Sequence, residues 1–204
     1  MKALAAGLCA GMLAVTAMGQ FAGLPVAGGA SAPAAGAAWA SAGAVVGDDY
    51  NLYGGRLSFA PVPRLALFAD LGMIDPDGGD AGPSAQGGAQ FALPLGKDMP
   101  VDVAVRATWG YAQFDFRGGD LEMSGFCAGA VASRKYGSVE PYAFAGLNFV
   151  DTEVKAHGEK STDDETDLAV AFGAALGMGE RFSLYAEMAH VDDFFMNFGA
   201  RWNF

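Results

Sequence analysis

The stretch FFMNFGARWNF, residues 194–204, decides how the chain is read. Taken by twos from its last residue it gives Phe204, Trp202, Ala200, Phe198, Met196 and Phe194. Between them lie Asn203, Arg201, Gly199, Asn197 and Phe195. Side chains of an extended strand point alternately to opposite faces. This segment is therefore expected as a strand with one apolar face and one mostly polar face.

The same period recurs upstream. In RLALFADLGMI, Leu65, Leu67, Leu71 and Met73 oppose Arg64, Phe68, Asp70 and Gly72. VDVAVRATWGY sets Val101, Val103, Val105, Ala107 and Trp109 against Asp102, Ala104, Arg106 and Thr108. DLAVAFGAALGM and RFSLYAEMA repeat it around Phe172 and Leu184. Further strands are expected near 51–61, 86–93, 120–133 and 139–150, with a first one at Ala38–Gly47. No segment after the N-terminal run carries a helical period. Short connectors such as PVP and GMGE alternate with mostly longer Gly- and Asp-rich ones such as DPDGGDAGPSA and TEVKAHGEKSTDDE. That alternation predicts an up-and-down antiparallel meander with each kind of connector at one end.

Composition limits the partners. Among 204 residues, 23 acids face 12 bases, for a net charge of -11, which argues against a nucleic-acid surface. Half the chain is apolar and only 17% is charged, so disorder is not expected. The N-terminus, MKALAAGLCAGMLAVTAMGQ, has one lysine, an uncharged run, and small residues at Ala17 and Gly19. This is the layout of a secretory signal peptide over residues 1–19, with Ala22, Ala30 and Ala42 as later cleavage options. Residues 20–37, rich in Ala, Gly and Pro, are expected as a linker, and 38–204 as the folded domain. Cys9 lies in the leader. Cys127, in the apolar phase of its strand, is expected as a packed thiol.

A soluble barrel and a transmembrane one place the two faces oppositely. The polar face here is made of Gly, Ala and Ser with isolated charges, where a solvated surface would carry more Lys and Glu. Several strands reach the roughly 9–11 residues that cross a bilayer with tilt. Aromatics gather at strand ends: Tyr50, Tyr53, Trp109, Tyr111, Phe194, Trp202 and Phe204. The expected fold is all-β: a closed antiparallel up-and-down transmembrane β-barrel, of ten strands, with eight as the alternative, since barrels of this kind have even counts.

The terminal strand resembles the C-terminal signature of bacterial outer-membrane β-barrels, with Met196, Phe198, Trp202 and Phe204 on the pattern and Ala200 smaller than usual. PYAFAGLNF, residues 141–149, resembles a strand of the small OmpA/OmpX-like barrel domains. The resemblance covers residues 38–204. It implies the outer membrane of a Gram-negative-type bacterium, outer-membrane lipid as surroundings, and recognition of the last strand by the barrel-assembly machinery.

Activity is harder to read. The inward phase places Arg56, Asp70, Asp102, Arg106, Glu122, Glu140, Arg181, Glu187 and Arg201 in the lumen. They are expected as a charge network that mostly plugs it; the alternative is the lining of a narrow channel for small or hydrophobic solutes. No catalytic residue, cofactor or metal is expected. His157 reads as a solvated loop residue. His190 lies beside Asp192 and Asp193, but Ser183 is seven residues away, about 23 Å along a strand, which makes a lipid-modifying enzyme the weakest reading. Asp75, Asp77 and Asp80 do not follow a calcium-loop pattern and read as a solvated acidic turn. The expected function is non-enzymatic, structural or surface-directed.

Overall fold

The structure is a computed structural model and describes residues 23–96, 99–116, 119–156, 159–191 and 193–204. The expected leader, 1–19, and His157 lie outside the described residues. Strands form where the two-residue period was read. In chain order they are β1 (Ala38–Gly47), β2 (Tyr50–Val62), β3 (Leu65–Pro76), the two-residue β4 (Gly79–Asp80), β5 (Gly82–Ala92), β6 (Asp102–Phe116), β7 (Gly119–Ser133), β8 (Val139–Ala156), β9 (Glu159–Gly177), β10 (Phe182–Val191) and β11 (Asp193–Asn203).

Each long strand pairs antiparallel with its sequence neighbours, and β1 pairs with β11 from Trp39↔Asn203 to Gly47↔Phe195. The sheet therefore closes as a ten-strand barrel, with β4 added to the outer end of β6. Closure leaves no edge of unpaired amides, the condition for placing a sheet in lipid.

The faces follow the alternation. Leu57, Leu71, Leu168 and Phe172 stand outward and are 61–74% exposed, while Arg56, Asp70, Ala169 and Ala171 point inward and are buried. Phe194, Met196, Phe198, Trp202 and Phe204 all lie on the outer surface. An apolar belt of this extent is not a water-facing surface. Its margins are aromatic. Trp109, Phe126 and Phe149 are cross-strand neighbours at one margin, and Phe182 and Trp202 pack at the other with centroids 6.4 Å apart. The chain is a transmembrane β-barrel with its apolar face to lipid and its polar face to the lumen. The end with turns such as 63–64 and 178–181 is periplasmic, and the end with the tall hairpins is extracellular.

Those hairpins differ from the sequence expectation. Residues 152–165, read as a long loop, are strand: the β8–β9 ladder continues to Ala156↔Glu159. Of 75–85, read likewise, β5 already takes Gly82 onward. Above the membrane the outer face meets water instead of lipid, so strand persists with no apolar outer stripe to mark it. The pattern in fact inverts there. Tyr50, Leu52, Ile74, Phe114, Leu121, Met123, Val150, Val191 and Phe195 point inward and pack as one buried apolar cluster. Tyr50, expected at the membrane margin, packs in this cluster against Phe195, with centroids 5.2 Å apart.

The inversion corrects one assignment on β7. Leu121 and Met123 lent their inward phase an apolar look, so the apolar phase of Cys127 faces the lumen, where the thiol is packed as expected, and Glu122 of the other phase is not in the lumen. Cys127 is buried on the lumen side, paired with Thr108 and Asn148. Glu122 lies in the same phase as the exposed Phe126, in the extracellular extension, where its carboxylate meets Lys155 at 2.8 Å.

Candidate functional site: the occupied lumen

The lumen has three layers. The extracellular third is the apolar cluster around Phe195 and Leu52 just described. The middle is polar. Arg56 on β2 and Asp70 on β3 are register partners, and their side chains meet with Nε–Oδ1 at 2.7 Å and Nη2–Oδ2 at 2.7 Å. Gln86 donates to Asp70 Oδ2 at 3.2 Å. The guanidinium groups of Arg56 and Arg106 both lie against the ring of Phe68, at 4.5 and 4.2 Å from its centroid. About eight strands give an interior that side chains just fill; here, with ten, these residues occupy the middle of the lumen together with residues 23–32.

The third layer is the segment expected as a linker. Residues 23–32 lie inside the barrel, from Ala32 at the periplasmic mouth to Gly23 beside Asp70 at mid-height. Leu24, Val26, Ala27 and Ala30 are buried. The barrel wall holds the segment by its main chain. Leu24 N donates to Asp70 Oδ2 at 2.9 Å, and Ala30 N to Ser133 Oγ at 2.8 Å. Val26 N and Ala27 N converge on the two oxygens of Glu187 at 3.3 and 3.1 Å. Successive amides closing on one carboxylate form a small anion cradle, and Ala27 adopts a left-handed φ of 52° within it. In the other direction Arg106 donates to Pro25 O at 3.2 Å, Arg56 to Val26 O at 3.2 Å and Gln90 to Gly29 O at 2.9 Å. Arg56 also donates to Leu24 O, and Arg201 to Ala27 O.

Of the nine charges expected in the lumen, five meet there: Arg56, Asp70, Arg106, Glu187 and Arg201. Glu140 and Asp102 stand at the periplasmic mouth, where Ser31 Oγ donates to Glu140 at 2.8 Å and to Asp102 at 3.3 Å. Arg181 is exposed at the rim beyond β10, and Glu122 is outside the lumen. The sequence reading missed the ligands of the N-terminal segment: Gln86, Gln90 and Ser133. They share the phase of the charges, and that phase was the signal that could have found them. A cavity of about 270 Å³ remains between the segment and the wall, lined by Trp39, Phe68, Arg106, Glu140 and Arg201. His190 is exposed near the extracellular end of β10, and Ser183 lies at the opposite end of the same strand. Among the described residues no group of three or more acids, cysteines or histidines is placed to hold a metal.

No protein-family model matches the chain, and no curated protein is similar to it. Solved structures similar to the chain include bacterial membrane barrels and a de novo designed transmembrane β-barrel, the latter 12% identical with a TM-score of 0.42. The N-terminal β-barrel domain of Pseudomonas aeruginosa OprF is 14% identical, with 84% of this chain and 100% of that chain covered and a TM-score of 0.44. Ail, the attachment invasion locus protein of Yersinia pestis, is 15% identical over 83% of this chain and 99% of that one, with a TM-score of 0.39. The translocator domain of the autotransporter NalP from Neisseria meningitidis is 10% identical over 100% and 97%, with a TM-score of 0.45. The closed ten-strand barrel, its lipid-facing belt and its filled lumen define the class of this chain: a small transmembrane β-barrel of the outer-membrane type.

Proposed function

We propose that this protein is a non-conducting, non-enzymatic barrel of the outer membrane, which acts as a structural element there and through its acidic extracellular hairpins. The observation that carries the reading is the double occupancy of the lumen: a buried, mostly apolar cluster at the extracellular end and a bound segment at the periplasmic end. Ions crossing the barrel would have to leave water at Phe195 and its neighbours, where a mostly apolar wall replaces little of their hydration. The extracellular hairpins present Asp77, Asp80, Asp120, Glu122, Glu153 and Asp163 to solvent, with Lys155 as a counter-charge. The separation of His190 and Ser183 along β10 supports a non-enzymatic role. Outer-membrane lipid against the apolar belt, and the barrel-assembly machinery at the last strand, are the partners that suit this architecture.

Planar-bilayer recording on the purified, refolded full chain tests the reading. The expected trace has no discrete channel events at voltages where small porins conduct. Steady, ion-selective steps that scale with protein added would replace this reading with that of a narrow channel.

A further inference from the structure

The way the wall holds residues 23–32 has a specific chemistry. The wall's hydrogen bonds to residues 24–30 go to main-chain N–H or C=O groups and not to side chains. Leu24, Val26, Ala27 and Ala30 offer four donors, and Leu24 to Gly29 offer five acceptors. The wall reads a peptide backbone, and its demand on side chains is size. A Cβ on Gly28 would meet the guanidinium of Arg201, and one on Gly29 would meet the Glu140 carboxylate and lie 2.6 Å from Ser133 Oγ. Glu140 is itself held by Ser133 at 2.9 Å and by Ser31, so it has little room to give way.

The wall also needs an occupant. Among the described residues no salt bridge reaches Glu187, whose two oxygens are met by the amides of Val26 and Ala27. Arg106 likewise has carbonyl and amide oxygens rather than a carboxylate against its guanidinium. The wall's own Tyr142, Arg56 and Arg106 lie near Glu187, but a vacated site would still leave these buried charges short of hydrogen-bond partners, which is costly and favours refilling by a ligand of the same main-chain chemistry. On its C-terminal side the segment joins β1 through the exposed Ala34, Ala35 and Gly36 at the periplasmic rim, where Arg64 N donates to Pro33 O at 3.0 Å and Gly36 N to Ala60 O at 2.8 Å. The 270 Å³ cavity beside it lies toward the same mouth.

We propose that the periplasmic half of the lumen is a binding site for an extended peptide main chain with small side chains, and that residues 23–32 are its tethered resident ligand. The site admits Gly- and Ala-rich peptide from the periplasm and excludes bulky side chains at the positions of Gly28 and Gly29. The proposal rests on the wall's geometry and not on conductance: a barrel that passed ions at its margin would still bind the segment.

The test uses the full chain with a protease recognition sequence inserted between Ala34 and Ala35. The barrel is folded in lipid, cut at that site, and challenged with a dye-labelled synthetic peptide of residues 23–33. The cut fragment is expected to co-migrate with the barrel and to be replaced saturably by the labelled peptide. A peptide carrying Gly28→Leu and Gly29→Leu should compete at least about tenfold less well. Two results would overturn the proposal. One is loss of the fragment at the first wash, with no uptake of labelled peptide by a barrel that still shows its heat-modifiable gel shift. The other is equal competition by the two peptides.

Discussion

Arg56 and Asp70 face each other across the β2–β3 pair and meet at two points, both at 2.7 Å, with both side chains at most 4% exposed. The pair does more than neutralise itself. Asp70 takes the amide of Leu24, and Arg56 gives to the carbonyls of Leu24 and Val26. Removing one partner should therefore damage both the wall and the docking of the segment. Asp70→Ala leaves a buried guanidinium unpaired, a change that costs about 3–5 kcal/mol. Arg56→Leu with Asp70→Ala should cost less than the sum of the two single changes. Urea unfolding from lipid vesicles, followed by tryptophan fluorescence, measures both.

The assignment of faces is checked on neighbouring residues of β6. Val105 is outward and 47% exposed, and Ala104 is fully buried inward. Val105→Arg should destabilise the barrel by about 2–4 kcal/mol near the membrane midplane. Ala104→Ser adds one hydroxyl on the lumen side between Ala92 and Val131 and should cost about 1 kcal/mol. The same unfolding titration reads both. Equal effects would mean the two faces are exchanged.

This alternation was legible because, within the bilayer, one face must be apolar and the other need not be. The closure of β1 on β11 and the strand count followed from it. What escaped the sequence did so for two physical reasons. Above the membrane the constraint on the outer face disappears. The tall β8–β9 hairpin then carries Asp, Glu, Lys and Thr on its strands and looks like loop, while Leu121 and Met123 invert the phase and misdirect Glu122. The bound segment was invisible for a different reason. A main chain held through its amides leaves no periodic mark in side-chain polarity, so VAGGASA reads only as small and unstructured.

The extracellular hairpins should respond to pH. Asp115 faces Asp120 across the β6–β7 hairpin, and Asp151 faces Asp164 across β8–β9. The hydrogen bond shared within each pair pushes the carboxyls of Asp115 and Asp164 above the ordinary aspartate value. The unfolded value is about 3.9. A pKa raised in the folded state gives a contribution that is fully present below about pH 3.9 and is lost as pH rises through the raised value. The hairpin tips should therefore be looser at neutral pH than in mild acid. Asp164→Asn removes the repulsion, so it should slow protease nicking near residues 151–164 at pH 7 and change little at pH 4. The check is an acid-active and a neutral protease, each compared with wild type at its own pH.

Assembly should depend on the last residue. Phe204 is exposed on the lipid side, and its N–H donates to Ala38 O at 3.1 Å, so it joins the barrel seam as well as ending the apolar row. Deletion of Phe204 is expected to lower the amount of heat-modifiable, membrane-inserted protein while export across the inner membrane continues. Fractionation with semi-native gels measures this, and undiminished insertion would remove Phe204 from the assembly signal.

The central claim is a sealed lumen, and the chain carries its own probe for it. Cys127 is buried against the lumen at 3% exposure, paired with Thr108 and Asn148, and belongs to the same buried cluster as Phe195 and Met123. The barrel in lipid vesicles is treated with a small, permanently charged, water-soluble thiol reagent, and labelling at Cys127 is read by peptide mass analysis. A lumen closed by the Phe195 cluster and the 23–32 segment predicts no labelling until the barrel is unfolded. Labelling of the folded, heat-modifiable barrel at a rate near that of the unfolded chain would contradict it.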